Sequence, residues 1–574
     1  MLSQFKEIWL VDFEFQSLDG ERPVPHCMVA REFRSGQLLR IWLGGDSTPK
    51  SCPIPTGADV LFVAYFASAE LGCFRTLGWP VPARVLDLFC EFRTLTNGLD
   101  TVCGNGLLGA LAWFGLDSLG AVEKEEFRQL AIRGGPYSSK ERADLLDYCQ
   151  SDVDSLASLL PKMKPHIDIF RGLSHGRYMA AVAEMEWNGI PIDGFSWGQL
   201  HDHWQALQAR LIESLNSEWD LYEGKTFKMD KWEAFLSRNG LPWPRLASGK
   251  LAMADETFRQ MAKRFPDQIG PVRELRLTLA KMRLNELPVG SDGRNRCLLS
   301  PFRSKTGRNQ PSNSKFIFGP SAWMRSLIKP PPGKAIAYID WSQQEFAIAA
   351  ALSGDTAMQE AYLSGDPYLA FARQAGAVPE DATKQSHPAE RNQFKVCALA
   401  VQYGMGEDSL ANSLGEPPVV SRRLLQLHHQ TYPTYWRWSQ AAVDHAMLFG
   451  HLHTVFGWRL HVGSRVNTRS LANFPCQANG AEMLRLACCM IVEAGIKLIA
   501  PIHDAILIEA DATSINRVVS QAQQLMLEAG KVVLDGFELR SDAEVIAYPD
   551  RYSDPRGQSF WERITSALDE VVSA

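Results

Sequence analysis

Residues 335–355, AIAYIDWSQQEFAIAAALSGD, place the tightest constraint on what this chain can fold into. An apolar run, 335–339, ends on Asp340 and gives way to an Ala-rich segment. The pattern predicts a buried strand that delivers one carboxylate to its tip and then enters a helix. A second strand-like run, 496–508 (IKLIAPIHDAILI), places His503 and Asp504 at the turn of a hairpin. Two aspartates at strand tips, about 160 residues apart in the chain, can share a pair of divalent ions for phosphoryl transfer. Taken singly, each is the kind of residue that turns and caps use.

What lies between them sharpens the reading. In 391–406, RNQFKVCALAVQYGMG, the residues Arg391, Lys395, Leu399 and Tyr403 recur every four positions and form one stripe on a helix. At about 1.5 Å per residue the stripe runs roughly 18 Å, enough to lie along a nucleoside triphosphate. Its cations would meet the phosphates and its aromatic end the base or sugar. Two cations alone would make only a solvated face.

Together the three segments resemble the DNA polymerase I family (family A polymerases). DWSQQEF matches its motif A, RNQFKVCALAVQYG its motif B and IHDAIL its motif C, in the family's order and spacing. The resemblance extends over nearly the whole chain.

At 574 residues the chain has room for three or four domains. A net charge of −6 argues against a uniformly basic coat for nucleic acid, so local distribution matters more. Between residues 293 and 339 there are nine Lys/Arg and no Asp or Glu, which predicts a track for a phosphate backbone. Eleven cysteines without paired CxxC spacing form neither a disulfide nor a zinc framework and suit a reducing cytoplasm, which the family resemblance implies is that of a bacterium or a phage-infected host cell. No signal-peptide pattern and no run of about 18 apolar residues point to a membrane.

Near the start, 8–15 (IWLVDFEF) reads as a strand with Asp12 and Glu14 on one face and Val11, Phe13 and Phe15 on the other. Another strand, 59–66, precedes a segment that holds Glu70, and 143–160 reads as a helix with Tyr148 and Asp152 one turn apart. A D-x-E strand with a Y-x-x-x-D helix resembles the DEDD superfamily of 3′–5′ exonucleases. Clustered carboxylates bind two metals there, and the tyrosine orients the attacking water. Glu70 stands where that family carries aspartate, one methylene further out. Either metal binding weakens or the helix shifts to absorb the change; a degenerate scaffold domain is the alternative. The G-x-G-x-x-G at 104–109 follows no apolar strand and reads as a turn opening a helix over 107–114. Histidines 428, 429, 451, 453 and 461 read as surface or backbone-contact residues.

The resemblance implies an α/β multidomain protein: an RNase H-like exonuclease domain (1–165) followed by a right-hand polymerase region (166–574). In that region about 190–290 is thumb, about 291–355 and 440–574 mainly palm, and about 356–439 fingers. Helical patterning over 197–219, 229–239, 255–264 and 270–283 falls in the thumb, with Asp255 as an N-cap. Because the chain begins almost at the exonuclease strand, no 5′-nuclease domain is expected. The resemblance further assigns Asp340 and Asp504 two Mg²⁺ ions, and the exonuclease residues Asp12, Glu14 and Asp152 two more. It assigns Arg391, Lys395, Leu399, Tyr403, Glu345, Gln343 and Tyr368 to the nucleotide. Arg308 (in Thr306-Gly307-Arg308), Arg325, Arg469, Asn473, Gln477 and His503 are assigned to DNA. Contacts from Arg308 and Gln477 to minor-groove acceptors common to all correct pairs would check pair geometry without reading sequence. Ala505 stands where the family usually has glutamate, leaving Asp340 and Asp504 to suffice.

The expected partners are primer–template DNA and dNTPs, with no membrane and with accessory replication proteins unspecified. The rivals are a single-subunit RNA polymerase, argued against by Glu345, and an exonuclease or DNA-binding protein with an inactive polymerase region.

Overall fold

A computed structural model of the chain describes residues 2–45, 48–117, 121–246, 248–281, 287–463 and 467–573. The chain divides into two compact units. One consists of Met1–Asn188, Leu299–Gln310 and Ala337–Val545, the other of Gly189–Leu298, Pro311–Ile336 and Ile546–Ala574.

The N-terminal part of the larger unit is built on a five-stranded mixed sheet. In its central strand, Glu7–Gln16, Ile8, Trp9, Leu10 and Val11 are all buried. It pairs antiparallel with Val24–Glu32 and parallel with Val60–Ala64. The full order is Leu38–Trp42, Val24–Glu32, Glu7–Gln16, Val60–Ala64, Val85–Asp87. Helix Ser139–Met163 packs on the two central antiparallel strands. It opens with a capping box: Ser138 Oγ accepts from the Glu141 N–H, and the Glu141 carboxylate accepts from the Ser138 N–H. Its buried Leu145, Cys149, Val153, Leu156 and Leu160 recur at helical spacing, which leaves Tyr148 and Asp152 on the flank of that stripe. The glycine-rich segment turns at Gly104 and opens helix Leu107–Trp113.

A second sheet holds Lys497–Ile502, Ala505–Asp511, Lys334–Trp341 and Ser541–Ala547, in that order. Ile502 faces Ala505 across the hairpin, so His503 and Asp504 are its two-residue turn, with His503 at φ +54°. Strand Lys334–Trp341 leads into helix Gln344–Ser353. The long helix Thr468–Glu493 lies against this helix so closely that a Cβ on Gly480 would meet Gln344 Oε1 at 3.0 Å.

Six helices between residues 356 and 449 enclose an aromatic core in which Phe371 contacts Phe394, His428 and Tyr432. His428 is therefore no surface residue. It is 1% exposed, and its Nδ1 accepts the Trp436 indole N–H at 3.1 Å. Burial, then neighbouring His429, pushes its pKa down to about 3, so it stays neutral. His451 and His453 do meet backbone carbonyls, as expected.

The smaller unit is mostly helical. The patterning over 197–219 is two helices, Gly194–Asp202 and Trp204–Trp219, because His203 (φ −98°, ψ 11°) leaves the helical region. Met229–Arg238, Asp255–Arg264 and Pro266–Lys281 follow. Residues 282–283 of the last predicted helix lie outside the described residues. Ala254, not Asp255, holds the N-cap position; Asp255 sits in the first turn, where its charge still complements the helix terminus, and it pairs with Arg273 at 3.4 Å. Trp232, fully buried, stacks on Phe235 and Phe258 and meets Trp243 edge-on. Among the described residues no helix is long and apolar enough to cross a membrane.

Candidate active sites

Asp340 is the penultimate residue of Lys334–Trp341, and Asp504 is the turn residue before the neighbouring strand Ala505–Asp511. Burial, then the charges of Asp504 and Asp542, pushes the Asp340 carboxyl up to about 7. Its Oδ1 is buried and accepts no hydrogen bond among the described residues. A carboxylate held at such cost, beside other carboxylates and with an oxygen left open, fits a cation ligand better than a turn or capping residue. His503, exposed, precedes Asp504 on the hairpin turn.

Asp542 is a residue the sequence reading missed. It stands on strand Ser541–Ala547, beside the strand of Asp340, and its Oδ2 accepts from Ser342 Oγ at 2.6 Å. Ala505 is fully buried and supplies no third charge. Asp542 therefore brings a further negative charge to bear on Asp340.

The stripe Arg391–Tyr403 forms as predicted on helix Pro388–Gln402, which ends with Tyr403 as its C-cap. Lys395 and Tyr403 are exposed and Arg391 and Leu399 half-buried, whereas Phe394, Cys397, Ala398, Ala400 and Val401 on the other faces are buried. Arg391 is ion-paired with Asp366. Both cations flank the ring of Tyr368, Arg391 at 5.9 Å and Lys395 at 5.8 Å from its centroid. Tyr368 itself is nearly buried, so it supports the cations from below. Gln343 takes a left-handed conformation, φ +51°, at the start of helix Gln344–Ser353.

Glu345, in the first turn of that helix, is the hub of the site. The Tyr403 hydroxyl donates to its Oε1 at 3.1 Å, and Arg308 Nη2 approaches the same oxygen at 3.9 Å. Burial raises the Glu345 pKa, while Arg308 and Tyr403 oppose the rise. On helix Thr468–Glu493, Arg469, Asn473 and Gln477 follow one another at four-residue spacing, exposed or half-buried. Arg469 passes close to Gly404, where a Cβ would meet its side chain at 3.2 Å. Arg325 belongs to the smaller unit and is engaged there by Asp554 and the Phe318 carbonyl. Arg296, Lys329 and Arg308 also face carboxylates of their own units, so the cationic run is in part an ion-pair network.

Beside the N-terminal sheet of the larger unit, Asp12, Glu14 and Asp152 each bring a carboxylate oxygen to within 4.8 Å of the others, the one such group of three among the described residues. Burial, then Asp12, raises the Glu14 pKa well above the usual range. Tyr148 stacks on Phe127 with ring centroids 5.3 Å apart, and burial followed by Asp152 raises its pKa. Glu70 lies outside the group of three. It is 4% exposed in helix Ser68–Thr76, its Oε2 accepts no hydrogen bond among the described residues, and burial followed by Asp12 raises its pKa. Mutually repelling carboxylates of this kind are what a divalent cation neutralises.

Comparison with known proteins places this geometry. The sequence model of DNA polymerase family A matches residues 312–544. The chain is 30% identical over 251 residues to the DNA polymerase of Mycobacterium phage L5 and 29% identical over 252 residues to that of Mycobacterium phage D29, in each case over 43% of this chain. The matches span 40% and 41% of those two relatives, so the chain covers less than half their length. The solved POL domain of Pol1 from M. smegmatis, in complex with DNA primer-template and dNTP, is similar over 94% of both chains with a TM-score of 0.67 at 18% identity. That likeness shows the fold alone. Over residues 312–544, less than half of its length, this chain is similar to DNA polymerase family A.

Proposed function

We propose that this chain is a template-directed DNA polymerase that adds dNTPs to a primer 3′ end, with a 3′–5′ exonuclease site in its N-terminal sheet domain. The observation that carries the polymerase reading is the Tyr403–Glu345 hydrogen bond. It ties the helix bearing Arg391, Lys395 and Leu399 to the segment that follows Asp340, beside the turn of Asp504. Asp340 and Asp504 would hold two divalent ions, Mg²⁺ by the preference of hard cations for oxygen, which supply charge for the triphosphate and lower the pKa of the primer hydroxyl. Arg391 and Lys395 bind the phosphates by charge-assisted hydrogen bonds, Arg391 aimed by Asp366 until phosphate competes for it. Glu345 crowds the 2′ position of the incoming sugar, and Tyr403 stacks near the templating position. Arg308, Arg469, Asn473, Gln477 and His503 face the primer–template. In this reading about 190–290 is the thumb, 356–439 the fingers and the remainder of 291–574 mainly palm.

The exonuclease reading is supported by the strand order of the N-terminal sheet, which suits an RNase H-like domain, and by the three converging carboxylates. Asp12, Glu14 and Asp152 would hold metal, and Tyr148 would orient the attacking water.

Incubation with primer–template, Mg²⁺ and dNTPs tests the proposal. Extension is expected, and Asp340→Ala or Asp504→Ala abolishes it while primer–template binding stays within several-fold, because phosphate contacts supply most of the affinity. Near-normal extension by either variant overturns the assignment of the two aspartates. Extension with rNTPs alone points instead to an RNA polymerase.

A further inference from the structure

The loop Leu299–Gln310 delivers Arg308 to Glu345, and residues far away in sequence hold that loop in place. Arg93 Nε donates to the Phe302 carbonyl at 3.3 Å and its Nη2 to the Arg303 carbonyl at 3.2 Å. Asn97 Nδ2 donates to the carbonyls of Lys305, at 2.7 Å, and Arg459, at 2.8 Å. Trp458 Nε1 gives Lys305 a second donor at 3.0 Å, and Arg485 Nη1 donates to Gly307 at 2.6 Å. Every one of these partners is a backbone carbonyl, so the contacts fix the path of the chain and not the side chains it carries.

Arg93 and Asn97 come from the N-terminal sheet domain, on helix Leu88–Thr96 and its C-cap. Arg93 is 8% exposed and Asn97 fully buried. Their corner is seated on the hairpin of His451–His453 and Arg459–His461. The His461 N–H donates to the Asn97 carbonyl at 2.8 Å, and a Cβ on Gly98 (φ +91°) would meet the His461 carbonyl oxygen at 2.3 Å. Burying a guanidinium and an amide is costly unless their donors are used. Here Arg93 uses its donors on the loop, and Asn97 divides its amide between the loop and the hairpin. Arg308, by contrast, has a buried Nε with no hydrogen-bond partner among the described residues and reaches Glu345 only at 3.9 Å, so its position follows the loop backbone.

We propose that Arg93 and Asn97 are positioning residues for nucleotide selection at the polymerase site, acting through loop 302–308 on Arg308 and through it on Glu345 and Tyr403. The inference rests on the polymerase reading above. The N-terminal domain then contributes to discrimination during synthesis whether or not it degrades DNA. A displacement of about 1 Å in such a group is enough to cost roughly 10²-fold in rate.

Asn97→Asp tests this at nearly constant shape, since a carboxylate cannot donate to either carbonyl. Arg93→Met, which keeps the stem and removes the fork, carries the same test should Asn97→Asp fail to fold, and Arg93→Lys is the rescuing variant. Two quantities are measured on the full chain: amide hydrogen exchange of residues 303–308, and the ratio of kcat/KM for dNTP against rNTP, each with and without Arg308→Ala. Faster exchange is expected, with discrimination lowered about 2- to 30-fold and largely restored in Arg93→Lys. The double variant Asn97→Asp/Arg308→Ala should be no worse than Arg308→Ala alone, since both act on one path. Unchanged exchange, or losses that add to those of Arg308→Ala, overturns the proposal while wild-type extension keeps the polymerase reading. Absence of extension by wild type overturns both.

Discussion

The Tyr403 hydroxyl and the Arg308 guanidinium converge on a single oxygen, Glu345 Oε1, at 3.1 and 3.9 Å. One carboxylate thereby joins the end of helix Pro388–Gln402, the start of helix Gln344–Ser353 and the loop before residue 310. In the polymerase reading proposed above, a 2′-hydroxyl on the incoming sugar would meet this side chain or break its bond to Tyr403. Glu345→Ala should therefore raise ribonucleotide incorporation, by about 10²-fold if steric exclusion is the main term. Tyr403→Phe should raise it less, because the carboxylate remains. The check is the rNTP/dNTP ratio at one template position; an unchanged ratio in Glu345→Ala would remove the main argument against an RNA polymerase.

Asp340 gives a pH signature in the absence of metal. Its carboxyl titrates near 7 in the folded protein, raised by burial and then by Asp504 and Asp542, against about 3.9 in an unfolded chain. Between those values the folded state binds more protons than the unfolded one, so this group lowers stability as pH rises from about 4 to about 7. In chelator, Asp340→Asn should flatten that slope and melt above wild type at pH 8. Asp542→Asn should flatten it in part. Identical pH dependence of melting in wild type and Asp340→Asn would mean that Asp340 is not destabilised by its surroundings.

The three carboxylates Asp12, Glu14 and Asp152 predict a separable loss. Changing Asp12 and Glu14 together to alanine should cut 3′–5′ degradation of single-stranded DNA by about 10²-fold or more, since even the outer partners of metal ligands cost up to that much. Extension should persist. Glu14→Gln alone should stabilise the metal-free protein near neutral pH, because it removes a half-buried carboxylate that desolvation, then Asp12, pushes toward protonation. Wild-type protein that degrades nothing with Mg²⁺ or Mn²⁺ would instead make this a scaffold domain, with Glu70 outside the group of three as the physical reason.

What the sequence displayed well was local periodicity. The strand ending near Asp340, the His503–Asp504 turn and the four-residue stripe of Arg391–Tyr403 all depend on neighbours in the chain, and all three form. Long-range partners were invisible. Asp542 faces Ser342 across 200 residues from an exposed position that carries no apolar pattern. Asn97 carries no sequence signal of its role, because its amide donates to carbonyls more than 200 residues away. His428 reads as a surface residue because a histidine pair on a mixed helix has no period to betray burial; its aromatic cage comes from Phe371, Tyr432, Tyr435 and Trp436.

Leu399 offers the sharpest test of where the stripe points. It lies one turn after Lys395 and one before Tyr403, half-buried, on the outward side of helix Pro388–Gln402. In the polymerase reading this position faces the sugar of the incoming nucleotide, where members of the family mostly carry phenylalanine or tyrosine. A tyrosine hydroxyl can stand in for the 3′-hydroxyl that a dideoxynucleotide lacks; leucine, with no polar atom, cannot. Leucine also offers no flat face for stacking, a contact worth about 1–3 kcal/mol per base where bases stack on aromatic rings. Wild-type protein should therefore exclude dideoxynucleotides strongly, and Leu399→Tyr should admit them. Leu399→Phe separates the two effects, since it restores a ring without a hydroxyl and should leave the exclusion in place. The measurement is a competition of ddNTP against dNTP at one template position, with single-nucleotide extension scored for each variant. Equal discrimination by wild type and Leu399→Tyr would mean that this side chain does not face the sugar, and that the stripe is rotated about the helix axis from the placement argued above.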